Sequence, residues 1–194
     1  MIRFKHPTVI AAVRTDADFA SALTSESRLI FDLMPSIRKV KERTDRAHQA
    51  GKRLFLHMDL VEGIGKDAAG LEYVREQGAD GIISTRAGMI RPAKETGLLT
   101  VQRFFMVDSQ SVRTAEETLK TTRADMIEVM PGLLPKVIEK LAVSGRTPVI
   151  AGGLIETVEE IRAAFAAGAS AVSTAKVELW KNFARLTENV TADD

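Results

Sequence analysis

The sequence predicts a minimal single-domain (β/α)8 barrel with parallel strands, and three observations support this fold class. Short apolar runs of strand length recur along the 194 residues. Segments with helical periodicity separate these runs, and glycines stand between the end of a helix and the next strand. The repeated strand-then-helix unit favours parallel strands, and eight units favour a closed barrel of the TIM type. An open doubly wound sheet is the alternative.

The predicted elements follow in chain order from these patterns. The strands are rich in branched or aromatic residues; they are Thr8–Val13, Leu29–Leu33, Arg53–Met58, Gly81–Ser84, Leu98–Phe105, Met126–Met130, Pro148–Ala151 and Ala171–Thr174. Apolar residues three and four apart predict helices at Ile37–Gln49, Ala69–Gln77, Val112–Thr121, Leu134–Val143 and Val158–Ala167. Predicted N-caps are Asp16, Asp108 and Thr157, and predicted helix-ending glycines are Gly51, Gly78, Gly97, Gly145 and Gly168.

A local motif recurs three times at a spacing of 45 residues: Gly78-Ala79-Asp80, Arg123-Ala124-Asp125 and Gly168-Ala169-Ser170. This spacing corresponds to two strand–helix units, which predicts that alternate strands share one local arrangement. Convergence on a common turn before a strand would give the same pattern.

Composition indicates an ordinary globular protein. The net charge is +1, hydrophobic residues make up 45% and charged residues 27%, and cysteine is absent. These values predict neither an overall basic field nor disulfides nor thiolate metal sites. Without a signal-peptide core or a membrane-length apolar run, we expect a cytoplasmic protein with no membrane segment. One domain is predicted over residues 1–194, with a loose tail from about Thr187.

Loops after the last two strands predict a phosphate site. Gly152-Gly153 follows strand seven and Ser173-Thr174 follows strand eight. Paired glycines let backbone amides approach an anion, and hydroxyls add donors. Barrels of this kind often bind phosphate between these two loops. The alternative is that the glycines only form a tight turn.

Polar residues at other strand ends predict a pocket beside that site. His57 lies near the end of strand three, and Asp59 and Glu62 come just after it. These side chains are suited to holding hydroxyls, ligating a metal or acid–base chemistry. Arg103 in strand five and Glu128 in strand six are expected to meet inside the barrel. One interpretation is an ion pair that fixes the register of the two strands. The other is that Arg103 binds an anionic ligand and Glu128 accepts from a hydroxyl of that ligand.

We predict no catalytic residue, metal or cofactor. Schiff-base aldolases on this fold need a lysine within a strand, whereas Lys66 and Lys176 lie beyond strand ends. No nucleophile–base pair stands out either. The alternative is an isomerase, epimerase or lyase for a small phosphosugar or triose phosphate that uses His57, Asp59 or Glu62.

Basic residues at two places are candidates for RNA contact. Arg38, Lys39 and Lys41 lie after strand two, and Arg86 and Arg91 lie after strand four. Interspersed acidic residues make a solvated helix face the alternative, and no aromatic RNA-binding motif is present.

Taken together, several segments resemble the glycerol 3-phosphate-responsive transcription antiterminators of bacteria. The similar stretches are His6–Arg14 (HPTVIAAVR), His57–Asp67 (HMDLVEGIGKD), Gly81–Thr85 (GIIST), Gln102–Ser109 (QRFFMVDS), Ile127–Gly132 (IEVMPG), Ile150–Ile155 (IAGGLI), Ala171–Thr174 (AVST) and Glu178–Trp180 (ELW). They occur in order over nearly the whole chain.

This resemblance implies an effector, glycerol 3-phosphate, and a partner, the leader mRNA of a glycerol-catabolic operon, on which the loaded protein would prevent termination. Gly152, Gly153, Ser173 and Thr174 would hold the phosphate; Asp59, Glu62, Arg103 and Glu128 would lie near the glycerol moiety. A homo-oligomer and a sensor with a protein partner are both compatible with the sequence. The chain departs from the family after strand two, where relatives often have a glycine-bearing turn and this chain has Pro35.

Overall fold

Eight parallel strands close into a barrel in sequence order, which confirms the predicted (β/α)8 fold. This arrangement is seen in a computed structural model that describes residues 4, 7–143 and 147–181. Gly145, His6 and the predicted loose tail lie outside the described residues. No helix within the described ranges is both long and apolar enough to cross a membrane.

The helices and strands alternate without interruption. The strands are β1 (Thr8–Val13), β2 (Leu29–Asp32), β3 (Arg53–His57), β4 (Gly81–Ser84), β5 (Leu99–Phe105), β6 (Met126–Met130), β7 (Val149–Gly152) and β8 (Ala171–Thr174). The helices are α1 (Asp16–Leu23), α2 (Val40–Gln49), α3 (Ala68–Glu76), α4 (Ala87–Glu95), α5 (Ser109–Thr122), α6 (Pro135–Val143), α7 (Val158–Ala166) and α8 (Val177–Lys181), with a 3-10 turn at Met58–Leu60.

Of the five predicted helix starts only Val158 matches the structure, and the other four shift by one to three residues. The helix expected from Ile37 begins at Val40, because the Ile37 amide donates to the Glu62 carbonyl at 2.9 Å and holds this segment outside the helix. The N-cap of α1 is Thr15 rather than Asp16, since the Thr15 hydroxyl accepts from the Asp18 amide. The N-caps predicted at Asp108 and Thr157 are confirmed, each with a capping box.

Side chains alternate between two apolar layers, as the strand periodicity requires. One layer fills the barrel, where the rings of Phe31 and Phe55 lie 5.7 Å apart. The other layer, which includes Leu54 and Leu56, packs between the strands and the helices. The apolar interior stops below the carboxyl ends of the strands, and polar side chains replace it there.

The recurring motif has the same structural role at two of its three positions. Asp80 precedes β4, and its carboxylate accepts from the Leu54 amide of β3 at 2.9 Å. Asp125 precedes β6, and its carboxylate accepts from the Thr100 amide of β5 at 3.0 Å. An aspartate thus ties the start of one strand to its neighbour, which explains physically why the motif returns every two units.

Replacement of Arg123 by glycine is expected to stabilise the protein by about 0.5–1 kcal/mol. Arg123 has a φ of 51° at the motif position where Gly78 and Gly168 also have positive φ. Glycine removes the Cβ strain, although it increases the freedom of the unfolded chain. Urea unfolding measures the change. The matched control is Gly97→Ala, which places a Cβ at φ +87° with no atom within 4 Å and should destabilise by a similar amount. An R123G variant that is less stable than wild type would contradict the proposed backbone strain at Arg123.

Candidate functional site

A buried polar cluster lies inside the barrel near the carboxyl ends of its strands. Arg103 on β5 pairs in register with Glu128 on β6, and Arg103 Nε donates to Glu128 Oε2 at 2.6 Å. The second carboxylate oxygen, Oε1, accepts from Ser173 Oγ on β8 at 2.5 Å. Glu128 is completely buried and Arg103 is 7% exposed. The predicted meeting of Arg103 and Glu128 inside the barrel is therefore confirmed.

His57, the last residue of β3, extends this cluster. Its Nε2 lies 3.2 Å from Arg103 Nη1. Because a guanidinium only donates, Nε2 accepts and the ring proton belongs on Nδ1. Nδ1 has no hydrogen-bond partner among the described residues. Burial first, and then the charge of Arg103, lower the pKa of His57 to about 4, so the imidazole is neutral at pH 7.

This shift predicts an acid-sensitive component of stability. The pKa of a histidine in an unfolded chain is about 6.5, so between that value and about 4 the unfolded state binds more protons. The free energy of unfolding should therefore fall by about 2–3 kcal/mol between about pH 7 and pH 4.5 because of His57 alone. Urea unfolding of the wild type and His57→Gln at both pH values measures this. Equal acid losses in the two proteins would contradict the assignment.

Asp59 lies in the 3-10 turn just beyond β3 and joins it to the end of β4. Its carboxylate accepts from Ser84 Oγ at 2.7 Å, from the Thr85 amide at 2.6 Å and from Thr85 Oγ1 at 2.8 Å. Burial alone would raise the pKa of Asp59, but these hydrogen bonds outweigh it and keep the pKa below its usual value. His57 Nε2 is 3.9 Å from Asp59 Oδ2, so the two groups are neighbours without a hydrogen bond.

The loop after β7 depends on close backbone approach. A Cβ on Gly152 would lie 2.3 Å from Glu128 Oε1, so this glycine makes room for the buried carboxylate. Gly153 and Leu154 both have positive φ, at 75° and 61°. The Gly153 carbonyl accepts from the Gly132 amide at 3.1 Å, which ties this loop to the one after β6. The phosphate site predicted at this glycine pair stays a prediction.

The two predicted phosphate-binding hydroxyls both have protein partners. Ser173 donates to Glu128, as described above, and Thr174 Oγ1 donates to the Ile155 carbonyl at 2.7 Å. Thr174 Oγ1 also accepts from the Lys176 amide just before α8. The hydroxyls therefore hold the loops after β7 and β8 in place.

Glu62 is the predicted pocket residue that the structure places elsewhere. It lines a cleft between the loops after β1, β2 and β3, and that cleft shares no lining residue with the Arg103–Glu128 cluster. Within the described ranges, no three His, Asp or Glu side chains are grouped so as to hold a metal ion.

The five predicted RNA-contacting side chains lie outside the barrel. Four of them form ion pairs: Lys39 with Asp16, Lys41 with Asp45, Arg91 with Glu95, and Arg86 with Asp59. The last pair is the longest, with 3.9 Å between Arg86 Nε and Asp59 Oδ1. Arg38 is exposed and forms no ion pair with a described residue.

A second buried charge network was missed by the sequence interpretation. Arg43 of α2 donates to Asp32 at the end of β2 and to Asp16 of α1, at 2.6 Å each. These carboxylates raise the pKa of Arg43 although burial opposes this. The available signal was Asp32, an acidic residue inside an otherwise apolar strand.

The fold and the cluster define a (β/α)8 barrel with polar side chains at its carboxyl end and no lysine in any described strand. Residues 9–180 match the model of the glycerol-3-phosphate responsive antiterminators, and the chain belongs to this family. The family resemblance predicted from the sequence is thereby confirmed.

The chain is also similar to three known proteins, two of which are described as antiterminator or antiterminator-related proteins. Uncharacterized protein YgcP of Escherichia coli K12 is 36% identical over 173 residues, which are 89% of this chain and 91% of that protein. The glycerol uptake operon antiterminator regulatory protein of Listeria monocytogenes is 34% identical in sequence. Its crystal structure superposes with a TM-score of 0.86, and the match covers 92% of this chain and 97% of that chain. A glycerol uptake operon antiterminator-related protein of Thermotoga maritima is 34% identical with a TM-score of 0.80, covering 90% and 98%.

Proposed function

We propose that this protein is a regulator that binds glycerol 3-phosphate at the carboxyl end of its barrel. Once loaded, it binds the leader mRNA of a glycerol-catabolic operon in the cytoplasm and prevents premature termination of transcription. The observation that carries this proposal is the family match over residues 9–180, which contains the whole Arg103–Glu128 cluster and the loops around it.

The geometry supports a small phosphorylated effector. The phosphate would lie against the loops that contain Gly152-Gly153 and Ser173-Thr174, where backbone amides can donate to an anion. Arg103 is the nearby fixed cation, and Glu128 is an acceptor for a hydroxyl. Asp59, held by Ser84 and Thr85 at the adjoining strand ends, is a second acceptor. Glycerol 3-phosphate combines one phosphate with two hydroxyls, which suits this set.

The same geometry favours binding over catalysis. The described strands contain no lysine for a Schiff base. His57 Nε2 accepts from Arg103, so this nitrogen is already engaged and is not free to act as a base. A phosphosugar isomerase, epimerase or lyase is the alternative, favoured by the neighbouring His57 and Asp59. Turnover of a phosphosugar that disappears in His57→Gln would establish that alternative instead.

Calorimetry tests the effector. Glycerol 3-phosphate should bind more tightly than glycerol or inorganic phosphate, because it alone makes both groups of contacts. A protein that is folded but does not bind glycerol 3-phosphate would refute the effector assignment, whatever it does with RNA.

Filter binding to the leader transcript tests the output. RNA affinity should increase when glycerol 3-phosphate is saturating, because the effector and the RNA would favour the same state. Measurement over a salt series separates specific binding from general attraction to phosphates. An RNA affinity that does not change with glycerol 3-phosphate would argue against control of RNA binding by the effector.

A further inference from the structure

A cleft separate from the proposed effector site opens at the same end of the barrel. It has a volume of about 550 Å³ and lies between the loops after β1, β2 and β3; its lining includes Arg14, Met34, Ser36, Arg38 and Glu62. This volume is within the range of roughly 300–1,000 Å³ typical of clefts that bind small organic groups. The cleft is therefore large enough to hold a nucleotide unit.

The basic residues of the cleft fall into two groups. Lys39 and Arg43 are neutralised by Asp16, and Arg43 also by Asp32. In contrast, Arg14 and Arg38 are exposed and form no ion pair with any residue that the structure describes. Two guanidiniums are thus free to bind a phosphate, and their planar forks match phosphate oxygens.

Apolar and acceptor groups accompany these two arginines. Met34 in the cleft and Ile37 in the same loop are 55% and 42% exposed, unusually high values for large apolar side chains. Glu62 adds a carboxylate that forms no ion pair with a described residue. The arginines can bind a phosphate, the apolar surface can contact a base, and the Glu62 carboxylate can accept from a hydroxyl or amino group. This combination fits a ribonucleotide better than a simple anion.

The cleft is also connected to the effector site. The Glu62 amide donates to the Pro35 carbonyl, and the Ile37 amide donates to the Glu62 carbonyl, both at 2.9 Å. The loops after β2 and β3 therefore form one wall. The loop after β3 also carries Asp59, which faces the His57 end of the polar cluster. A change at Asp59 on effector binding would reach the cleft through this short segment.

We propose that this cleft is the RNA-binding surface, with Arg14 and Arg38 as the phosphate contacts of a single-stranded segment. This inference rests on the proposed function and specifies where its RNA binds. It selects Arg38 from the five basic candidates of the sequence analysis and adds Arg14. The four ion-paired candidates, Lys39, Lys41, Arg86 and Arg91, have no leading role.

The test compares two double variants that remove the same charge. Arg14→Ala with Arg38→Ala alters the cleft. The control is Arg28→Ala with Arg53→Ala. It removes two exposed arginines at the amino ends of β2 and β3, which is the end of the barrel opposite the cleft. Filter binding of the leader transcript, with saturating glycerol 3-phosphate, is measured for wild type and both variants over a salt series. Calorimetry with glycerol 3-phosphate alone accompanies each protein.

We expect R14A/R38A to bind RNA on the order of 100-fold more weakly than wild type. The slope of log affinity against log salt concentration should become shallower by about 1.4, at about 0.7 for each lost contact with a single-stranded phosphate. The control should change RNA binding several-fold at most, and all three proteins should bind glycerol 3-phosphate equally. If wild type binds RNA and R14A/R38A matches the control, the cleft assignment is wrong while the proposed function stands. Loss of glycerol 3-phosphate binding in R14A/R38A would overturn the assignment by making the cleft an effector site. If wild type binds no RNA, the proposed function fails and the inference falls with it.

Discussion

Replacement of Arg103 by methionine is expected to lower the free energy of unfolding by about 3–5 kcal/mol. The change leaves Glu128, which is completely buried, with Ser173 as its only described hydrogen-bond partner. A buried carboxylate without a compensating charge is costly because the interior cannot replace its hydration. Methionine keeps much of the buried volume, so the loss reports on charge rather than on a cavity. Urea unfolding at neutral pH measures the effect.

The double variant Arg103→Met with Glu128→Gln is the control for this prediction. Glutamine removes the stranded charge and can still accept from Ser173. We expect it to recover at least half of the lost stability, as buried pairs often tolerate joint neutral replacement. An R103M protein within about 1 kcal/mol of wild type, or a double variant no more stable than the single one, would show that the pair is not electrostatically coupled.

Replacement of Gly152 by alanine should weaken glycerol 3-phosphate binding by on the order of 10–100-fold. The added Cβ would lie 2.3 Å from Glu128 Oε1 and 2.6 Å from Ser173 Oγ. Gly152 has no positive φ, so alanine is compatible with the backbone, and the effect comes from displacement of this hydrogen-bonded pair. Calorimetry measures the affinity, and circular dichroism confirms that the variant is folded.

Gly97→Ala separates this local effect from a general loss of stability. It introduces strain at a site after α4 where no atom lies within 4 Å of the new Cβ. We expect it to destabilise by about 1 kcal/mol without changing effector affinity. Equal affinities for a folded G152A and the wild type would remove the loop after β7 from the effector site.

The strand pattern was predictable because each strand has an apolar run of limited length and each helix an amphipathic stripe. The bounds of β1, β4, β6 and β8 match the prediction at both ends. The proximity of Arg103 and Glu128 followed from adjacent strands and side-chain alternation. The register did not, because a shift of one residue would turn either side chain away from the interior.

The positions of loop residues were less predictable. Asp59 and Glu62 are only three positions apart, yet Asp59 contacts the end of β4 while Glu62 lines the cleft. That separation depends on the 3-10 turn and on the hydrogen bonds between Glu62 and the loop after β2. These contacts join residues distant in sequence, and local propensity carries no information about them.

The residues of the loops after β7 and β8 separate what the sequence determined from what only the tertiary structure decided. Sequence alone determined a (β/α)8 barrel and its family, because hydrophobic periodicity and ordered motifs are properties of the chain itself. It also identified the glycines and hydroxyls at the ends of β7 and β8. Only the tertiary structure decided their partners: Ser173 with Glu128, Thr174 with the Ile155 carbonyl, and Gly152 beside the buried carboxylate. β6 and β8 lie on either side of β7, and the missing side chain of Gly152 on β7 leaves the space in which Glu128 and Ser173 meet. That contact joins residues distant in sequence and fixes what each group can still bind.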